Sequence, residues 1–233
     1  MNKIIIGLIG IVFSLSATEI YATFNVQAVK SANLAFDASG VVKSVNYDIA
    51  SSVKKGDILA FLENSDKKAN LDMAKSALKY AKKDYDRQLK VKTLIDESKF
   101  DNYAYKYENA KSQVAFQTSM YNKTFLKAPF DGVLFFKEVE VGDTVSGMML
   151  KTVFKIQSIN DRKLVLDFDS KYSSVVKVGD EFEYYVDGIK KQKSAKITKI
   201  YPNANSKTRK MSAEILTKDL MPGLFGHGII KAK

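Results

Sequence analysis

The feature that most constrains the fold is a stretch of sixty residues, 64–123, that contains neither glycine nor proline. Its composition, rich in Lys, Ala, Asp, Tyr and Gln, favours helix. Apolar and aromatic residues recur in it at alternating spacings of three and four, which is typical of helices with one narrow apolar stripe. The first run is Leu71, Ala74, Leu78, Ala81 and Tyr85, and the second is Phe100, Tyr103, Tyr107, Ala110, Val114, Gln117 and Tyr121. We therefore expect two helices.

The gap between the two stripes predicts a connection between the helices. Asp96, Glu97 and Ser98 offer a helix start, for which we expect Ser98 as the N-cap and Asp101 in the first turn. Two helices of about 28 residues would form a hairpin roughly 40 Å long at 1.5 Å per residue. Their remaining faces are charged almost all round, so each stripe can bury only the partner helix. This favours an antiparallel coiled-coil hairpin in solvent over helices packed on a globular core.

Two similar β-rich stretches flank the helical segment. SGVVKSVNYDIASSVKKGDILAFLE occupies residues 39–63, and DGVLFFKEVEVGDTVSGMMLKTVF occupies residues 131–154. Each opens with Gly-Val and reaches Gly-Asp, and these residue types favour turns between strands. Because order and spacing partly recur, we predict two halves of one small β-sandwich rather than two unrelated hairpins. The predicted turn residues are Gly40, Gly56, Asp57, Gly132, Gly142 and Asp143.

Residues 149–233 alternate between short strand-like runs and turn residues, which predicts a small β-barrel. The runs are TVFKIQS, KLVLDFD, EFEYYVD, KSAKITKI, MSAEIL and LFGHGIIK. A turn at Pro222 and Gly223 precedes the last run, and residues 170–177 are expected to be the one helix of the barrel. The whole chain is thus predicted to be an elongated α+β protein of several domains.

The N-terminus has the layout of a secretory signal. Met1 to Lys3 is a short positive segment, Ile4 to Phe13 is apolar, and small residues follow. The apolar run is shorter than the roughly 20 residues that span a bilayer as a helix, so residues 1–22 are predicted to be a cleaved signal peptide, or otherwise an anchor. Cleavage after Ala17 or after Ala22 is plausible. We therefore expect an exported protein.

Composition excludes most catalytic and metal-dependent classes. The chain has no Cys and one His, which leaves no thiol nucleophile, no Cys-based zinc site and almost no material for a triad. We expect no enzyme, catalytic residue, cofactor or metal ligand. The formal charge of +11 rests on 37 basic residues of which 3 are Arg, scattered along the chain, so nucleic-acid binding is not expected either.

The β-rich halves and the helical segment together resemble the periplasmic adaptor, or membrane fusion protein, family (HlyD-like) of tripartite efflux pumps, in particular adaptors of RND-type exporters. The resemblance is carried by SGVV at 39–42, by SSVKKGDILAFLE at 51–63 and by LKAPFDGVLFFKEVEVGDTV at 126–145. Met221-Pro222-Gly223-Leu224 is similar to the turn before the closing barrel strand of the family.

The resemblance implies a domain order. Residues 34–63 and 124–148 would be the halves of a biotinyl/lipoyl-like sandwich, 64–123 the inserted hairpin, and 149–233 the β-barrel. Residues 23–33 would form an N-terminal strand, as a remnant of the family's membrane-proximal domain. Pump docking would then rely on the barrel and lipoyl-like domains or on a different arrangement.

The resemblance also implies partners. Adaptors of this type contact an outer-membrane channel through an Arg, a Leu four residues later and a Ser seven residues after that, and Arg87, Val91 and Ser98 stand at this spacing. Six adaptors would form a ring between an inner-membrane RND-type transporter and the channel, in the periplasm, for export of drugs or xenobiotics. Val91 departs from the pattern because it is smaller than Leu.

Two other functions remain open. A lipoyl or biotin carrier would need its modified lysine on a tight turn, whereas Lys67, which follows the first half, is predicted to start a helix. An adaptor of a type I or ATP-driven exporter, or an exported envelope scaffold of the same fold, is the stronger alternative.

Overall fold

The computed structural model describes residues 18–149 and 151–232. They divide into two compact units. The helical unit comprises residues 30–159 and contains both α-helices, and the sheet unit comprises residues 18–29 with 160–232. The fold is α+β, as expected. Most of the predicted signal segment, residues 1–17, lies outside the described residues.

Within the described ranges, the helices are α1 (Ser65–Leu89) and α2 (Glu97–Asn122). The strands are β1 (Thr18–Ala28), β2 (Ser31–Leu34), β3 (Gly40–Val45), β4 (Ser52–Val53), β5 (Ile58–Leu62), β6 (Phe125–Lys127), β7 (Gly132–Lys137), β8 (Thr144–Val145), β9 (Phe154–Gln157), β10 (Asp161–Asp169), β11 (Glu181–Val186), β12 (Lys193–Lys196), β13 (Lys199–Ile200), β14 (Lys210–Lys218) and β15 (Phe225–Ala232). Short 3₁₀ helices span Lys92–Leu94 and Ser170–Tyr172, the latter within the predicted helix 170–177.

The helical unit has two four-stranded sheets, in the orders β2-β9-β7-β4 and β6-β5-β3-β8. Each sheet contains strands from both similar stretches, because β4 pairs with β7 and β3 pairs with β8. The sheets enclose one apolar core, whose most buried members include Leu59, Leu62, Leu134, Phe154 and Ile156. Two segments that are separated by residues 64–130 therefore fold as one body.

The predicted boundary at residue 149 is wrong, because β9 belongs to the helical unit. Leu34 of β2 and Lys137 of β7 both pair with Phe154, which is fully buried in the core of that unit. The short run FKIQ was assigned to the C-terminal domain because its alternation fits any half-buried strand. Its pairing partners place it instead with the two similar β-rich stretches.

The two helices run antiparallel and pack on each other. Near their connected end the ring of Tyr85 lies 5.6 Å from that of Phe100 and stacks at 5.2 Å on that of Tyr107. At the other end Asn64 Nδ2 donates a hydrogen bond of 2.9 Å to Thr124 Oγ1. All twelve predicted stripe residues are buried or half-buried. The helices have 25 and 26 residues, a little shorter than predicted.

The sheet unit is a seven-stranded antiparallel sheet in the order β12-β11-β15-β1-β10-β14-β13. Its core includes Phe24, Leu164, Leu166, Phe168, Phe182 and Ile230. The expected N-terminal strand at 23–33 is different in the structure: β1 begins at Thr18, ends at Ala28 and lies between β15 and β10. It is an integral strand of this sheet rather than a remnant of another domain.

Three charged side chains are buried among the described residues of the sheet unit: Arg162, Asp180 and Glu214. Glu214 is 7% exposed, and its Oε1 accepts hydrogen bonds of 2.6 Å from Lys163 Nζ and from the Tyr201 hydroxyl. Lys199 Nζ lies 3.5 Å from Oε2. Burial alone would raise the pKa of Glu214, but these hydrogen bonds and the charge of Lys199 outweigh it and hold that pKa below its ordinary value.

Candidate functional site

The connected end of the two helices is built from a short, hydrogen-bonded turn. The backbone N–H of Val91 donates to the Gln88 carbonyl at 3.1 Å, and that of Leu94 donates to the Val91 carbonyl at 2.8 Å. Below the turn Phe100 is buried, and the Lys92 ammonium lies 4.7 Å from the centre of its ring. The backbone of the turn is therefore held in place although its side chains face solvent.

The N-cap of α2 is Asp96 and not the predicted Ser98. The Asp96 backbone is extended, and its Oδ1 accepts a hydrogen bond of 3.2 Å from the N–H of Lys99. Both residue types favour N-caps, but Asp96 is the one whose backbone turns into the helix. Ser98 lies within the first turn of α2 and is exposed. Its hydroxyl is thus available to a partner rather than used in capping.

Arg87, Val91 and Ser98 all lie at this connected end, in α1, the turn and α2 respectively. The Arg87 side chain is 70% exposed and pairs with the Asp84 carboxylate one turn earlier in α1. Val91 is 37% exposed. Within the described ranges no hydrogen bond or ion pair joins the three to one another.

Sequence reasoning missed Leu94, which is 83% exposed in the middle of the turn. Leu89, at the end of α1, is 48% exposed. Among the large apolar side chains that the structure describes, Leu94 is second in exposure to Met148, which is 93% exposed. No spacing rule pointed to Leu94, because it lies outside the Arg-Leu-Ser pattern and outside both helical stripes.

The other end of the helical pair is fixed to the sandwich by polar contacts. The Glu63 carboxylate pairs with Lys43 Nζ at 2.9 Å and accepts hydrogen bonds from the Ser65 hydroxyl at 2.8 Å and the Ser65 N–H at 3.2 Å. These contacts lower the pKa of Glu63 to about 2. Thr124 is 2% exposed and bonds both Asn64 and the carbonyl of Tyr121.

The predicted Gly-Asp turns form, and they share one geometry. Gly56 and Gly142 have φ of 92° and 96°, a left-handed conformation that favours glycine. The carboxylate of Asp57 accepts from the N–H of Lys54 at 2.9 Å, and that of Asp143 accepts from the N–H of Glu140 at 2.8 Å. The similarity between the two halves therefore extends to the hydrogen bonds of their turns.

Gly40 and Gly132 were predicted in turns, but they are the first residues of strands β3 and β7. At Gly132 the reason for glycine is close approach: a Cβ there would lie 2.5 Å from the Gln157 carbonyl oxygen. The predicted turn at Pro222 and Gly223 is present, with φ of 91° at Gly223 and a hydrogen bond of 2.8 Å from its N–H to the Val26 carbonyl.

Lys67 is the third residue of α1, so it does not occupy the tight turn that a modified carrier lysine needs. In the part of the chain that the structure describes, no group of three or more His, Asp or Glu side chains could hold a metal ion. No helix in the same part is long and apolar enough to cross a membrane.

Comparison with known proteins identifies the helical unit. Residues 30–157 match the family described as CzcB-like, barrel-sandwich hybrid domain. The cobalt-zinc-cadmium resistance protein CzcB of Cupriavidus metallidurans is 28% identical over 134 residues, which cover 50% of this chain and 26% of CzcB. The chain thus matches only about a quarter of the length of that relative.

Two solved structures share the fold. A MacA–MexA chimera that contains the α-hairpin domain of Pseudomonas aeruginosa MexA superposes with a TM-score of 0.84 at 20% identity, over 93% of this chain and 82% of the chimera. The membrane fusion protein Spr0693 of Streptococcus pneumoniae has a TM-score of 0.72 at 14% identity, over 92% and 99% of the two chains. Because the family match covers more than half of its residues, this chain belongs to the family with a CzcB-like barrel-sandwich hybrid domain.

Proposed function

We propose that this protein is the periplasmic adaptor subunit of a tripartite efflux pump. It would link an inner-membrane transporter of the RND type to an outer-membrane channel, for export of drugs or xenobiotics. The two helices would act as a coiled-coil hairpin, and the seven-stranded sheet would act as the β-barrel of the family.

The observation that carries the proposal is the exposed end of the helical pair, inserted into a CzcB-like unit. Arg87 and Ser98 face solvent there, and their spacing is that of the family's channel contact. Arg87 offers a planar donor fork to carbonyls or carboxylates of a channel, and Ser98 is small enough to let helices approach closely. A structural element with these groups at its end is suited to docking and not to catalysis.

Oligomerisation follows from the size of the tip. A stable interface buries roughly 800 Å² on each partner, which the seven-residue connection 90–96 between the two helices cannot supply. One tip should therefore bind weakly, and several tips held in a ring gain affinity by multivalency. We propose that six copies form this ring, with substrate passing through its centre and energy supplied by the transporter.

The substrate class has a second candidate. The relative that is 28% identical is named for resistance to cobalt, zinc and cadmium. Export of divalent metal ions is thus the alternative to export of organic compounds. Deleting the gene and comparing the minimum inhibitory concentrations of zinc, cobalt and cadmium salts with those of dyes, detergents and antibiotics decides between the two.

The docking role can be tested by cross-linking, because the chain has no native cysteine. Ser98→Cys places a single thiol at the tip, and a short thiol-to-amine reagent in intact cells should yield an adduct with an outer-membrane channel protein. Ser112→Cys is the matched control: it is also an exposed serine on α2, fourteen residues and roughly 21 Å further from the tip. A channel adduct from both positions, or from neither, refutes docking through the tip.

A further inference from the structure

The apolar side chains of the connection form a small surface, the apolar tip, which comprises Leu89, Val91 and Leu94. Leu94 exposes 83% of its surface, against 48% for Leu89 and 37% for Val91. Sequence spacing assigns the apolar contact to Val91, but Val91 is the most covered of the three. The residue that can enter a pocket on a partner is therefore Leu94.

The position of Leu94 is set before any partner arrives. Its N–H bonds the Val91 carbonyl at 2.8 Å, and the 3₁₀ helix that contains it lies between the last turn of α1 and the extended residue Ile95. Because the backbone is held, binding has to order only the Leu94 side chain, and this lowers the entropic cost for an anchor residue.

The charge of the residues around the apolar tip indicates which groups a partner presents around its pocket. From residue 87 to residue 95 the chain carries Arg87, Lys90 and Lys92 and no carboxylate. Arg87 pairs with Asp84 in its own helix and Lys92 lies over Phe100, while Lys90 is exposed between them. A complementary partner presents an apolar pocket with carboxylates at its edge.

We propose that Leu94, and not Val91, is the apolar anchor of the tip, and that it enters an apolar pocket rimmed by carboxylates at the periplasmic end of the channel protein. This inference rests on the proposed function. It adds the residue that determines tip affinity and the chemistry of the surface that receives it. Val91 then contributes mainly its backbone carbonyl, which accepts the hydrogen bond from the Leu94 N–H that holds the turn.

The test compares Leu94→Ser with Val91→Ser, each in the full-length Ser98→Cys protein, by the yield of channel adduct per exported adaptor in intact cells. Leu94→Ser should lower the yield about tenfold, equivalent to about 1.4 kcal/mol, and Val91→Ser less than twofold. Leu94 is so exposed that its replacement should leave the urea midpoint of the purified protein unchanged, which excludes a folding defect.

The outcomes separate the two proposals. A large loss with Val91→Ser and little loss with Leu94→Ser overturns the anchor assignment but leaves channel docking intact. Equal small losses also overturn it. If the parent Ser98→Cys protein gives no channel adduct, tip docking itself fails and the anchor assignment fails with it. Replacing one carboxylate at the channel rim by Lys should lower the adduct yield of the parent Ser98→Cys protein, and an unchanged yield overturns the acidic rim.

Discussion

Gly132→Ala provides a sharp test of how the two halves of the sandwich pack. A Cβ at this position would lie 2.5 Å from the Gln157 carbonyl oxygen and 2.8 Å from Cγ1 of Ile156, both on the neighbouring strand β9. The oxygen would have to retreat by about 0.9 Å to reach ordinary contact at 3.4 Å. Overpacking of this kind costs about 1–3 kcal/mol, and a weakened ladder hydrogen bond adds about 1 kcal/mol. We expect a loss of about 3 kcal/mol.

Gly142→Ala is the matched control. Its Cβ would meet nothing within 4 Å, so the cost there comes only from the positive φ of 96° and should be about 1–2 kcal/mol. Urea unfolding followed by circular dichroism at 222 nm reports the helical unit, because both α-helices belong to it. If Gly142→Ala destabilises as much as Gly132→Ala, close approach of β7 and β9 is not what requires glycine at residue 132.

Three further changes test other parts of the structure. Glu214→Gln should destabilise the sheet unit by about 2 kcal/mol at neutral pH, because Lys163 loses its carboxylate partner. The pKa of Glu214 is lowered in the folded protein, so the carboxylate stabilises the fold less as it is protonated. Thermal melts should therefore show the difference in stability between the parent and the variant shrinking as the pH falls below 4.5. N-terminal sequencing of exported protein should begin at Thr18 and not after Ala22, because cleavage after Ala22 removes buried residues of β1. Tyr85→Ala should lower the urea midpoint through loss of about 2–3 kcal/mol of ring packing between the helices, without changing export.

The helical pair could be predicted almost residue by residue because its information is local. Each stripe residue contacts positions that lie three or four residues away or directly across the hairpin, so spacing alone identifies the buried face. The error was at the helix start, where Asp96 and Ser98 are both good N-cap types. Which of the two is the N-cap depends on the backbone conformation of the residues that enter the helix. The sequence does not specify that conformation directly.

The strand assignments show what local sequence information does not supply, namely the pairing partners of a strand. The sequence indicated that FKIQ is a strand, but its partners are Ser31–Leu34 and the strand that begins at Gly132, one of them more than one hundred residues earlier. Alternation specifies which side chains are buried and not which sheet receives them. For the same reason the N-terminal strand was placed in a separate domain, although it pairs on both sides within the C-terminal sheet.

Neither helical spacing nor strand alternation could identify Leu94, since an exposed apolar residue in a turn belongs to no periodic pattern and has no buried partner. Its importance follows from where the helical segment is inserted. The segment leaves the sandwich after β5 and returns at β6, and these strands pair with each other, so both helix ends start from one hydrogen-bonded strand pair. The Leu62 N–H donates to the Thr124 carbonyl at 3.0 Å across that base. A helix of 25 residues rises roughly 38 Å from this anchored base, which fixes the direction of the tip relative to the sandwich. An element held at one end in this way can present a small apolar group at a defined place far from the sandwich, which is what the proposed docking through the tip would require.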